Sequence, residues 1–120
     1  MTQLPTEVHV GRFVYRVSQD AAEWAERGTT DNMVEATTYG ATNHHKLIIL
    51  INPAQLPRQK ADTLLHEVLH CVWAISSLPF VKELADNVDY EEMTIGHVTP
   101  WWCLVLNENP DLYAYITDPE

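Results

Sequence analysis

Apolar residues recur along this chain on two periods, a period of two in its first half and a helical period of 3.6 in its second. Residues 8–17 (VHVGRFVYRV) set Val8, Val10, Phe13, Tyr15 and Val17 among His9, Arg12 and Arg16. β-Branched and aromatic side chains dominate there, which predicts one strand bent at Gly11 or two short strands. Residues 18–27 (SQDAAEWAER) predict a short helix capped by Ser18, with acids in its first turn, Arg27 in its last, and Gly28 ending it. A second strand is expected over 33–41, then a turn over 42–45 that exposes His44 and His45. Residues 46–51 (KLIILI) form the most apolar run and predict a buried central strand paired with one of the two before it. A loop carrying Pro53 leads to Pro57, a residue suited to a helix's first turn.

The helical period then takes over. Across 61–76, Ala61, Leu64, Leu65, Val68, Leu69, Val72 and Ile75 share one broad face, and the SSLP at 76–79 stops the helix. Residues 80–88 have room for one helical turn. Over 89–107, Ile95, Val98, Trp102 and Val105 recur at helical spacing, with Pro100 predicting a kink or two abutting helices. Asn109-Pro110 ends this run, 112–116 form a last turn packed back on the core, and 117–120 are tail. No repeat, low-complexity tract or linker interrupts the pattern, and 120 residues make one domain, 1–120.

Inside the 61–76 helix stands His66-Glu67-Val68-Leu69-His70, an HExxH sequence. Four helical residues turn through about 400°, so both imidazoles project from one side, one turn apart. Such a pair can hold one Zn²⁺ at about 2.0–2.1 Å from each nitrogen. Glu67, one step round, is too far to share the metal easily but can take a proton from a metal-activated water. Cys71 points about 100° away from His70 and is not a ligand. Catalytic zinc usually takes three protein ligands. Glu83, Asp86, Asp89, Glu91, Glu92, Glu108 and His97 follow the motif, and Glu91 and Glu92, opening the next helix, are best placed. Asp89 with Glu92 also fits a capping box; beside an HExxH, metal ligation by one of the pair is preferred.

Composition narrows the function classes. A hydrophobic fraction of 46% with both signs of charge is that of a globular chain, and a formal net charge of −10 repels nucleic-acid phosphates. The two cysteines, Cys71 and Cys103, are expected as reduced core residues. Met1 to Pro5 shows no basic, then apolar, signal pattern and no apolar run reaches about 18 residues, so a cytoplasmic chain without a membrane partner is expected.

TLLHEVLHCVW at 63–73, preceded by KLIILI and a proline loop and followed by EEMTIGHV at 91–98 and LNENPDL at 106–112, resembles the small HExxH proteins of phages and mobile elements. These belong with the minimal gluzincin-type metallopeptidases, the minigluzincins and the metalloprotease domains linked to phage repressor cleavage. The resemblance covers roughly residues 33–112. It implies an α+β domain, zincin-like, in which a small twisted antiparallel or mixed sheet packs on the HExxH helix with a glutamate helix behind. It also implies a substrate-binding edge strand at about Tyr39 to Thr42, His66 and His70 as zinc ligands, Glu67 as general base and acid, and Glu92 as third ligand. Members often carry a polar residue near Gly96 to orient that ligand, and this chain departs from them there. The implied activity is zinc-dependent hydrolysis of a peptide or protein substrate, with His97, Tyr90 or Tyr39 open as the oxyanion donor, in the host cytoplasm for a phage-encoded chain. The alternative is a non-catalytic, zinc-stabilised phage protein that binds a host or phage protein partner.

Overall fold

The structure, a computed structural model, describes residues 2–27, 33–34, 39–76 and 90–119, without the side chains of 33–34, 90–93 and 96. In chain order these are β1 (Glu7–Val10), β2 (Phe13–Ser18), α1 (Ala21–Ala25), β3 (Met33–Val34), β4 (Gly40–Asn43), β5 (Ile48–Ile51), α2 (Pro57–Ile75), α3 (Tyr90–Glu108) and α4 (Pro110–Thr117). The fold is α+β. Its mixed sheet has the order β1-β2-β5-β4-β3, with β2 and β5 parallel and the other neighbours antiparallel.

Residues 8–17 form a hairpin, not one bent strand. Gly11 sits at φ +62° at the first central position of a two-residue turn, where glycine meets no steric penalty. The side chain of Trp101 in α3 packs on this turn, 3.1 Å from where a Cβ on Gly11 would lie. The single strand expected over 33–41 is instead two antiparallel strands, β3 and β4, and the latter runs past the expected end: Thr42 and Asn43 belong to β4, paired with Ile49 and Ile48. The turn shifts to 44–47 because Asn43 Oδ1 accepts the backbone N–H groups of both His45 and Lys46, and Leu47 closes the turn at φ 56°. β4 is also not an edge, since β3 pairs with it at Thr42 and Asn43.

Strand alternation sorts the core into two layers. Val8, Tyr15, Val17, Ile49 and Ile51 point to one face and meet Leu64, Val68, Cys71 and Val72 of α2, Val105 of α3, and Leu112 and Tyr115 of α4. Ala41 and Leu50 point to the other face, under Trp24 of α1. That short helix is capped by Asp20, which accepts from Glu23 N–H at 2.9 Å, and not by Ser18, whose hydroxyl instead donates to the Glu23 carboxylate. α3 passes through Pro100 as one helix. Proline there omits only one main-chain bond, and Thr99 donates its hydroxyl to the Ile95 carbonyl nearby, at 2.7 Å.

Asn109, between α3 and α4, fastens the edge of the sheet. It is buried, its amide accepts from His9 N–H at 2.8 Å, and it donates to His9 O and Val105 O at 2.8 and 2.7 Å. A side-chain amide thus occupies backbone groups of edge strand β1 that another strand would otherwise pair. Cys71 is buried as expected, but Cys103 is exposed: it lies on the side of α3 turned from Val105, which faces the core. No helix among the described residues is long and apolar enough to cross a membrane.

Candidate metal centre on the second helix

Helix α2 begins where the chain predicts a start. Pro57 opens it, and Gln59 Oε1 accepts the Leu56 N–H at 2.9 Å, satisfying one main-chain donor at the end. Its buried side is Ala61, Thr63, Leu64, Glu67, Val68, Cys71 and Val72. This face is rotated from the one that hydrophobicity alone selects. Leu69 is exposed, and Glu67, a charged residue, is only 1% exposed. The reason lies on β4. Gly40 has no side chain, so the strand closes on the helix until a Cβ at that position would stand 3.1 Å from Glu67 Cγ and 2.7 Å from Thr63 Cγ2. Two residues on and on the same face, Thr42 donates its hydroxyl to Glu67 Oε1 at 3.0 Å, giving the buried carboxylate a partner it requires.

His66 and His70 emerge beside Glu67, His66 exposed and His70 half-buried. Their Nε2 atoms are 3.2 Å apart, with ring centroids at 4.8 Å and planes at 72°. Two Zn–N bonds of normal length at a tetrahedral angle put the nitrogens about 3.3 Å apart, so the spacing of the pair is one that a shared metal ion requires. Glu67 Oε2 lies 3.9 Å from His66 Nε2. Among the described residues, His66, Glu67 and His70 are the one group of three such side chains whose ligand atoms lie within 4.8 Å of one another. Leu69 and Trp73 join the two histidines around a groove of about 350 Å³.

The other sequence candidates are more scattered. Glu91 and Glu92 sit in the first turn of α3, but their side chains, like that of Tyr90, lie outside the described residues, as do Glu83, Asp86 and Asp89 entirely. Glu108 is exposed at the far end of α3, and His97 is half-buried near its middle. Tyr39 is exposed just before β4.

The sequence reading missed a set of residues behind the motif. His44, expected in an exposed turn, is half-buried: its Nδ1 is 2.9 Å from the Tyr15 hydroxyl, and the two rings meet edge to face. Tyr15 is 1% exposed and lies with Cys71 in the same buried core cluster. Burial pushes the Tyr15 hydroxyl well above its ordinary pKa and the Cys71 thiol up to about 12, so both keep their protons. Burial, with His70 and His45 nearby, lowers the His44 pKa. The residue spacing Gly40, Thr42, His44 carried a period-two signal, but its meaning depends on which helix crosses that face. Comparison with protein-family models, curated proteins and solved structures finds no match.

Proposed function

We propose that this chain is a zinc-dependent peptidase of the minimal gluzincin kind, with His66, His70 and Glu92 as metal ligands and Glu67 as general base. The observation that carries this reading is the 3.2 Å separation of the two Nε2 atoms beside a buried carboxylate braced by Thr42. Imidazole and carboxylate donors suit zinc, which would supply Lewis-acid activation of a water and of the scissile carbonyl. Glu67 Oε1 accepts from Thr42, and Oε2, 3.9 Å from His66 Nε2, is the atom on the histidine side that would take the water's proton and return it to the leaving amide nitrogen. The groove walled by Leu69 and Trp73 offers apolar surface for a substrate side chain.

The test is hydrolysis of an unfolded protein by the zinc-loaded chain, with fragments read by mass spectrometry. Cleavage by the wild type, and its loss by at least about 100-fold in Glu67→Gln at unchanged zinc content, supports the peptidase. Zinc in both proteins with cleavage by neither favours the non-catalytic, partner-binding alternative.

A further inference from the structure

Strand β4 meets Glu67 at two places. Gly40 brings its backbone so close that a Cβ there would stand 3.1 and 3.3 Å from Glu67 Cγ and Cδ, which confines the stem of the side chain. Thr42 donates its hydroxyl to Oε1 at 3.0 Å, which holds the head. The head needs such a hold, because the terminal torsion of a glutamate is broad and roughly two-fold. Thr42 is suited to give it. Its residue is paired on both sides, with Val34 and with Ile49, and a β-branched side chain has few rotamers to choose from.

What this hold prevents follows from the distances. Two ligand atoms on one tetrahedral zinc lie about 3.3 Å apart. Glu67 Oε2 is 3.9 Å from His66 Nε2, and the ligand atoms of His66, Glu67 and His70 all lie within 4.8 Å of one another. These separations exceed those of shared ligands by at most about 1.5 Å. A small turn of the carboxylate would thus bring it onto a metal held by the two imidazoles. There it would take the position that a catalytic centre keeps for water, and it could no longer accept that water's proton.

We propose that Thr42 is a positioning residue that keeps Glu67 off the metal, so that the carboxylate serves as base and not as a further ligand. Removing the hydroxyl deprives a buried carboxylate of this donor, and burial makes that loss costly. A cation at His66 and His70 is then the substitute within reach. The inference rests on the proposed metal centre with Glu67 as its base, but metal coordination can be read whether or not the chain cleaves peptides.

The experiment loads the full chain with Co²⁺, whose visible absorption changes with the number and kind of its ligands, and measures zinc affinity by competition with a chelator. Thr42→Val should change the Co²⁺ spectrum and bind zinc about 10-fold tighter, the scale on which residues that orient ligands act. Adding Glu67→Gln to Thr42→Val should restore the wild-type spectrum and affinity, and Thr42→Ser, which keeps the hydroxyl, should show the wild-type spectrum. In a chain that hydrolyses peptides, Thr42→Val should also lose about 100-fold in kcat at unchanged KM. Thr42→Ala gives the same readouts if Thr42→Val does not fold. A wild-type spectrum and zinc affinity in the folded variant that lacks the hydroxyl would overturn the proposal, as would a changed spectrum that persists with Glu67→Gln. A wild type that binds neither Co²⁺ nor zinc would overturn it together with the metal centre. A spectral change that depends on Glu67, in a chain that cleaves nothing, would sustain it while the peptidase reading fails.

Discussion

Replacing Gly40 by alanine tests the contact that buries Glu67. The added methyl would stand 2.7 Å from Thr63 Cγ2 and 3.1 and 3.3 Å from Glu67 Cγ and Cδ. Carbon atoms prefer about 3.5–4.0 Å, so the Thr63 methyl must retreat by about 1 Å. It is not free to rotate away, because Thr63 Oγ1 donates to Gln55 Oε1 at 2.8 Å, and Gln55 in turn donates to the carbonyls of Tyr39 and Asn52. Overpacking of this kind costs about 1–3 kcal/mol. Reduced freedom of the unfolded chain offsets about 0.4–1 kcal/mol of it. A net loss of about 1–2 kcal/mol should lower the urea midpoint by roughly 1 M at a typical denaturant dependence. Thr63→Ser removes the clashing methyl and keeps the hydroxyl. Alone it should destabilise modestly; in the Gly40→Ala background it should be neutral or stabilising, a coupling of at least about 1 kcal/mol. An unchanged midpoint in Gly40→Ala, or a Thr63→Ser effect of the same size in both backgrounds, would refute the close packing of β4 on α2.

Two further outcomes follow from the same contacts. Asn109→Ala leaves part-buried main-chain groups of His9 and the buried Val105 carbonyl without their amide partner and should cost about 1–3 kcal/mol in urea unfolding, whereas a loss below about 0.5 kcal/mol would mean that the edge of the sheet is held by other contacts. Hydrogen bonds from Arg16 and Ser18 hold the Glu23 pKa at about 2 against an ordinary 4.5, so its contribution is complete above pH 4.5 and is lost as pH falls through about 2. With the side chain 38% exposed, solvent screening limits that contribution to less than about 1 kcal/mol, and Glu23→Gln should flatten the acid limb of a stability–pH profile by no more than this.

The geometry of His66 and His70 was legible because a helix fixes the relation of residues four apart whatever packs around it. The start of α2 at Pro57 and the buried strand at Ile48–Ile51 were legible for a similar reason, each depending on local chemistry. The burial of Glu67 was not. It depends on Gly40 and Thr42, far from the motif in sequence, arriving on that side of the helix, and on a glycine whose significance is the absence of a side chain. Leu69 reads as core by hydrophobicity but is exposed, since the helix turns to accept β4. The β4–β5 turn was misplaced because Asn43, a good turn former, ends the strand and caps the turn with its side chain. Tyr15, His44 and Cys71 come from three elements, and no local pattern in the sequence joins them.

The central claim is that His66 and His70 are metal ligands, and zinc per chain tests it most directly. After zinc loading and desalting, elemental analysis should find one zinc per chain in wild type and in Glu67→Gln, and none in the His66→Ala, His70→Ala double variant, with Glu92→Gln weakened. A wild type that retains no zinc, or a double variant that retains as much as the wild type, would contradict it.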